Sequence, residues 1–159
     1  MKDLASQHVK MHTAQRKFVN SLIKKATETR ELPLEERVVA LTQIMAQNGA
    51  LPTLRGEQPG KSYYFSPMTQ FIHGIVDNAT QKMHAYIWGE GLADRGADNI
   101  VSLLYWDLER RGLFKSSVGH LVLIADNCSA QNKNFCVLKF LMCLVEAGHA
   151  QKVTLIFLI

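Results

Sequence analysis

From Leu4 to Thr29 the apolar residues recur at helical spacing. Leu4, Met11, Phe18, Leu22 and Ala26 fall on one stripe, which predicts an amphipathic helix over residues 1–30. A charged connector containing Pro33, Glu31 to Glu36, closes it. The period then changes. Arg37 to Ala46 carries Val38, Ala40 and Thr42 on one face and Val39, Leu41 and Gln43 on the other, so it reads as a central strand. Gln47 to Lys61 holds Pro52, Gly56, Pro59 and Gly60 and reads as a loop. After Tyr63-Tyr64-Phe65 come two runs rich in β-branched and aromatic residues, Phe71 to Ala79 and Lys82 to Glu90. Asp77-Asn78-Ala79-Thr80 marks the hairpin turn between them. Ala97 to Gly112 returns to a helical period, with Ile100, Leu103, Leu104 and Leu108 inward and Gly112 as the C-cap. Leu121 to Ala125 is a short apolar run bounded by turn residues, which favours a buried strand. Asn134 to Ala147 is apolar nearly all round and reads as a helix buried on more than one side. Val153 to Ile159 is the last strand.

The order predicts an α/β chain with a mixed sheet: an amphipathic helix over 1–30, then a domain over 31–159 with three antiparallel strands followed by αβαβ. Its apolar end at Val153–Ile159 reads as a core strand with nothing beyond it, so a C-terminally incomplete domain is expected.

Charge changes this picture modestly. A net charge of +4 and a pI near 9.0 are compatible with a nucleic-acid partner without requiring one. Lys10, Arg16, Lys17, Lys24 and Lys25 make the first helix basic; the choices are a phosphate-contacting helix or a solvated outer face. His8 and His12 stand four apart, but without a third ligand nearby they read as a surface pair. Cys128, Cys136 and Cys143 have no CxxC spacing and read as reduced thiols, with Cys136 and Cys143 as small core residues of their helix. No signal peptide opens the chain and no apolar run is long enough to span a bilayer, so an intracellular location, nuclear or cytoplasmic, is expected.

Candidate chemistry concentrates in His120–Asn134, HLVLIADNCSAQNKN. A buried strand ends on a carboxylate, Asp126, and a polar loop then leads into a helix. Open α/β sheets place their chemistry at such points. Asp126 is either that or a simple turn residue. Ser129 or Asn132 is placed to cap the following helix. The run Gln131-Asn132-Lys133-Asn134 either contacts phosphates, orients Asp126, or serves capping and loop hydrogen bonds; it is richer than one cap needs.

The stretch ADNCSAQNKN resembles the DNC-small-GQNKN signature of a domain of unknown function in transposon-derived eukaryotic proteins. Asp126, Asn127, Cys128, Gln131, Asn132, Lys133 and Asn134 fit it, with Ala130 where that family usually has Gly. AQNGALP (Ala46–Pro52) resembles the family's Asp-aromatic-AQN-x-x-LP segment, Gly74-Ile75 its GI, and Trp88, Glu90, Ala93, Arg95 and Gly96 its W-x-E-x-x-A-x-RG element. The family is similar to the ribonuclease-H-like fold of DDE-type transposases and integrases.

That resemblance implies phosphodiester cleavage or strand transfer on nucleic acid, DNA above all, with two Mg²⁺ or Mn²⁺ ions held by carboxylates and no small-molecule cofactor. Asp126 takes the strand-four acid position, as catalytic and metal-binding residue. Ile44 stands where the family has its strand-one Asp and cannot bind a metal. Glu90 is the candidate substitute. Asn127, Gln131, Asn132, Lys133 and Asn134 are candidate site-building or nucleic-acid residues, with Lys17 and Lys24 on the first helix. The expectation is a degenerate, inactive nuclease domain; the alternative is a non-catalytic module that binds nucleic acid or protein on the same scaffold.

Overall fold

The computed structural model describes residues 2–51 and 66–158, with the side chains of residues 2–4 left aside. Tyr63-Tyr64-Phe65, Pro52 and most of the Gln47–Lys61 loop lie outside the described residues. The helices are α1 (Lys2–Glu28), α2 (Ala97–Arg110) and α3 (Phe135–Glu146). The strands are β1 (Val38–Met45), β2 (Gly49–Leu51), β3 (Met68–Asp77), β4 (Lys82–Gly89), β5 (His120–Ala125) and β6 (Val153–Phe157). They form one six-stranded mixed sheet.

β1 lies in the middle of it. It pairs antiparallel with β3, Leu41 opposite Asp77 and Met45 opposite His73, and parallel with β5, Val38 opposite His120 and Gln43 opposite Ala125. β6 adds parallel to β5, and β4 adds antiparallel to the far side of β3. Across the sheet the path is therefore β4-β3-β1-β5-β6. The short β2 also pairs with β3, Gly49 opposite Gln70. It falls inside the stretch expected to be loop, because three residues are too few to show a period.

Alternation of side chains in the strands divides the core in two. On one face Val39, Leu41, Ile75, Leu121 and Leu123 pack with Leu104 and Leu108 of α2 and Val137, Leu141 and Leu144 of α3. On the other, Ala40, Val122, Ile124 and Ile156 pack with Val19, Leu22 and Ala26 of α1. Fully burying each large aliphatic side chain contributes about 1.5–3 kcal/mol, so both faces are needed to hold β1 and β5 at the centre.

Two helices differ from expectation in the face they bury. In α1, Met11 and Phe18 are exposed, while Val19 beside Phe18 is buried and Ile23 is partly so. The helix leans its stripe by one residue to meet the flat Ala40–Val122–Ile156 surface. In α3 only Val137, Leu141 and Leu144 are buried, and Phe135, Leu138, Met142 and Val145 are exposed. A helix covering one side of a two-sided sheet offers a single buried stripe, so apolar composition alone overstated its burial. Cys143 is likewise exposed and Cys136 only half-buried, so neither is a core residue; all three cysteines are free. Asn134, rather than Ser129 or Asn132, caps α3, its side chain accepting from the Val137 N–H at 3.0 Å. Among the described residues no helix is long and apolar enough to cross a membrane.

The entry into β5 depends on a glycine. Gly119 donates its N–H to the Leu34 carbonyl at 2.8 Å, and a Cβ there would stand 2.4 Å from the Glu35 carbonyl oxygen. The connector after α1 is thus pressed backbone-to-backbone against β5. Gly119→Ala is expected to destabilise the fold by about 1–3 kcal/mol, read as a fall in the urea midpoint with an unchanged slope.

Candidate functional site

β5 ends at Ala125, and the chain turns on Asp126. The Asp126 carboxylate uses one oxygen, Oδ1, to organise the loop. It accepts from the Cys128 N–H at 3.1 Å and from Asn132 Nδ2 at 2.6 Å. No hydrogen bond to Oδ2 is present among the described residues. The Cys128 carbonyl in turn accepts from the N–H groups of Asn132 (2.8 Å) and Lys133 (3.0 Å), which closes the turn.

Asn132 is 2% exposed and works in both directions. While its amide nitrogen holds Asp126, its Oδ1 accepts from Gln43 Nε2 at 2.8 Å. Gln43 sits on β1 opposite Ala125 and is 1% exposed. A buried amide chain therefore ties the loop after β5 to the neighbouring parallel strand. Sequence reading placed Gln43 only as one face of a strand. A polar residue at an inward position between Leu41 and Met45 was the available signal.

His73 lies on the same face of the sheet. It pairs with Met45, diagonal to Gln43, and is 1% exposed. Neither of its ring nitrogens nor Gln43 Oε1 has a hydrogen-bond partner among the described residues. Burial lowers the imidazole to about 4; the carboxylates of Asp107 and Asp126 oppose that shift.

A fully buried carboxylate, Asp107 of α2, braces the sheet farther along. It accepts from Arg111 Nε (2.6 Å) and the Tyr86 hydroxyl (3.0 Å), and His84 Nδ1 stands 2.6 Å away. Burial first, and then the bond to Asp107, pushes the Tyr86 phenol up to about 12. Asp107 in the last turn of α2 and Arg111 just past its end stand one turn apart, with Asp107 on the same stripe as Leu104 and Leu108; an acid on an apolar stripe with Arg at i+4 was a legible sign.

The remaining candidates are dispersed. Ile44 points to the α1 side of the sheet and is 54% exposed, since α1 packs on Ala40 but not this far along β1. The paired register of β1 and β5 ends at Gln43–Ala125, and Ile44 and Asp126 are the next residues along their two stretches of chain. Glu90 follows β4, exposed, with its N–H donating to the Thr69 carbonyl. β3 and β1 separate β4 from β5, so strand spacing alone puts Glu90 about 14 Å to the side of the Asp126 strand. The structure does not bring it to Asp126. Trp88 of the same element donates its indole N–H to the Ala93 carbonyl at 3.1 Å and pins the turn into α2.

Asn127 is exposed, and Gln131 is 7% exposed within the loop. Lys133 holds its ammonium 5.9 Å from the Phe157 ring centroid. Asn134 is the α3 cap. Lys17 and Lys24 are exposed on the side of α1 opposite Val19, Leu22 and Ala26, and Lys24 pairs with Glu28 at 3.8 Å. His8 and His12 are also exposed.

A carboxylate-bound pair of Mg²⁺ or Mn²⁺ ions does not fit these residues. Among the described residues no three of His, Cys, Asp and Glu come together as a metal centre requires. One oxygen of Asp126 is already committed to two hydrogen bonds, and the residue that follows Gln43 on β1, Ile44, offers no oxygen.

The family model for a domain of unknown function, DUF7869, matches residues 61–159, more than half of the chain. The chain belongs to the DUF7869 family. The DUF7869 match takes in β3 to β6 with the Asp126 loop and begins after β1, so Gln43 and Ile44 lie outside it although β1 is the central strand. No curated protein and no solved structure matches the chain.

The His73 environment makes acid stability a test of this arrangement. An unfolded His73 titrates near 6.5, whereas the folded imidazole stays neutral to about 4. Between those values the unfolded chain binds a proton that the folded chain does not. Its contribution is therefore complete above pH 6.5 and is lost as pH falls to about 4, worth about 3 kcal/mol. Denaturant titrations across that window should show a steeper loss in the wild type than in His73→Leu; parallel pH profiles would contradict the assignment.

Proposed function

We propose that this DUF7869 chain is a ribonuclease-H-like domain of the transposase and integrase kind that binds nucleic acid, DNA above all, without cleaving it. Two features support the scaffold. The strand path β4-β3-β1-β5-β6, with β3 antiparallel and β1, β5 and β6 parallel, matches the order three antiparallel strands then αβαβ. The ADNCSAQNKN stretch also falls at the end of β5, beside the central strand, where such a sheet collects its functional residues.

The observation that carries the non-catalytic reading is the pair Ile44 and Asp126. Phosphodiester chemistry by two metal ions needs carboxylates from adjacent strands at one point. Here the residue that follows Gln43 on β1 is Ile44, which offers no oxygen, and Asn132 with Gln43 turns the Asp126 carboxylate into a loop anchor. What is left for a nucleic acid is charge and amides. Lys133 and the exposed Asn127 flank the anchored loop, and Lys17 and Lys24 line the outer face of α1. Such contacts to phosphates give affinity without sequence preference.

A second reading, a protein-binding module, is favoured by α3. Leu138, Met142 and Val145 leave an apolar surface beside β6 that nothing among the described residues covers.

Binding of fluorescent duplex DNA at low salt tests the first reading. The wild-type chain should bind, and Lys17→Gln/Lys24→Gln should weaken binding by roughly 10-fold with a shallower salt dependence. With Mn²⁺ present the DNA should stay intact. Absence of binding, or cleavage that disappears in Asp126→Ala, would overturn it.

A further inference from the structure

At the end of the sheet away from Asp126, the start of β1, the β3–β4 turn and the end of α2 enclose a cleft of about 310 Å³. Its walls carry Arg30, Arg37, Lys82, Arg110 and Arg111 against one acid, Asp77. Both Asp77 oxygens are already used. Oδ1 accepts from the Ala79 N–H at 2.9 Å and Oδ2 from the Thr80 hydroxyl at 2.9 Å, so this acid shapes the turn, and its single charge offsets only one of the five cations.

The five cations differ in what they already hold. Arg30 is paired with Glu31 at 2.9 Å, and Arg111 with the buried Asp107 at 2.6 Å. Arg37 meets no carboxylate; its Nε and Nη2 donate to the Leu32 carbonyl at 3.1 and 2.6 Å, which fixes the guanidinium and leaves Nη1 without a partner among the described residues. Arg111 is fixed similarly, with Nη2 on the Ile75 carbonyl at 3.0 Å. Lys82 and Arg110 have neither an ion pair nor a hydrogen bond from their side chains among the described residues.

Proximity to the α2 C-terminus favours Arg110 and Arg111 there. It does not account for Arg37 and Lys82, which come from the connector into β1 and from β4. Three cations without a carboxylate, drawn from three separate stretches of chain into one concavity, form a positive potential that the low-dielectric walls Val39 and Leu113 focus. Two pre-fixed guanidinium groups, each with Nη1 unpartnered among the described residues, suit directed contacts with phosphate oxygens. The volume suits a small molecule rather than a duplex.

We propose that this cleft binds a small ligand through a phosphate chain, a di- or triphosphate group, with Lys82 and Arg110 as the mobile contacts and Arg37 and Arg111 as the fixed ones. The site is separate from the Asp126 loop and does not depend on the nucleic-acid reading.

Calorimetry with inorganic tripolyphosphate on the full chain at low salt tests this. The wild type should bind, Lys82→Gln/Arg110→Gln should weaken binding at least 10-fold, and Lys139→Gln/Lys152→Gln, which removes the same charge from α3 and the approach to β6, should leave it within 2-fold. Both pairs are exposed, so the fold is retained, and a matching urea midpoint checks it. A nucleoside triphosphate in place of tripolyphosphate, losing the same factor in Lys82→Gln/Arg110→Gln, would extend the result to nucleotides. Failure of the wild type to bind, or an equal loss in both variants, would overturn the proposal. So would a duplex DNA that loses affinity in Lys82→Gln/Arg110→Gln while tripolyphosphate does not bind.

Discussion

The parallel pairing of β1 with β5 is the constraint on which the rest of the structure depends. Its register sets Gln43 opposite Ala125 and so fixes what can reach the end of β5. With that register, Asn132 bridges Gln43 and Asp126, and the loop closes as a buried amide chain. A shift by one residue would turn Gln43 to the α1 side and force Leu41, which is wholly buried, into the place where Ala40 packs against α1. The apolar faces therefore hold the polar site in place. Neither Asn132 nor Gln43 would be tolerated so deep without the other.

The same sheet separates two kinds of polar cluster. Near Asp126 the groups are amides and one carboxylate bonded in a chain, with Gln43 Oε1 left over. At the opposite end they are cations, most of them without a carboxylate partner among the described residues. Asp107, between α2 and the sheet, braces Arg111 and Tyr86 against β3 and β4. The chain is thus a two-faced scaffold whose ends present different chemistry to solvent. It belongs to the DUF7869 family, with the central strand outside the matched stretch.

Much of the architecture was legible because it rests on period. The alternation of Val39, Leu41 and Gln43 against Ala40 and Thr42, and the stripe Ile100, Leu103, Leu104 and Leu108, are both found as read. The departures arise where a neighbour decides. Val19 rather than Phe18 is buried because α1 meets small residues such as Ala40. α3 exposes Leu138 and Met142 because only one of its sides meets the sheet. Asn134 takes the cap because Asn132 is occupied by Asp126 and Gln43. The Asp126 loop stood out locally by its density of amides. Its partner Gln43 lies 89 positions away, and no local pattern reports a contact formed only by strand pairing.

The amide chain from Gln43 through Asn132 to Asp126 is the central claim, and a double-mutant cycle measures it most directly. Gln43→Leu, Asn132→Leu and the double variant would be unfolded in urea beside the wild type. The account predicts a coupling of about 1–3 kcal/mol between the two positions, the single changes each leaving a buried amide without its partner. Additive effects, within about 0.3 kcal/mol, would mean that the loop and β1 are held independently and that Asp126 is not tied to the central strand.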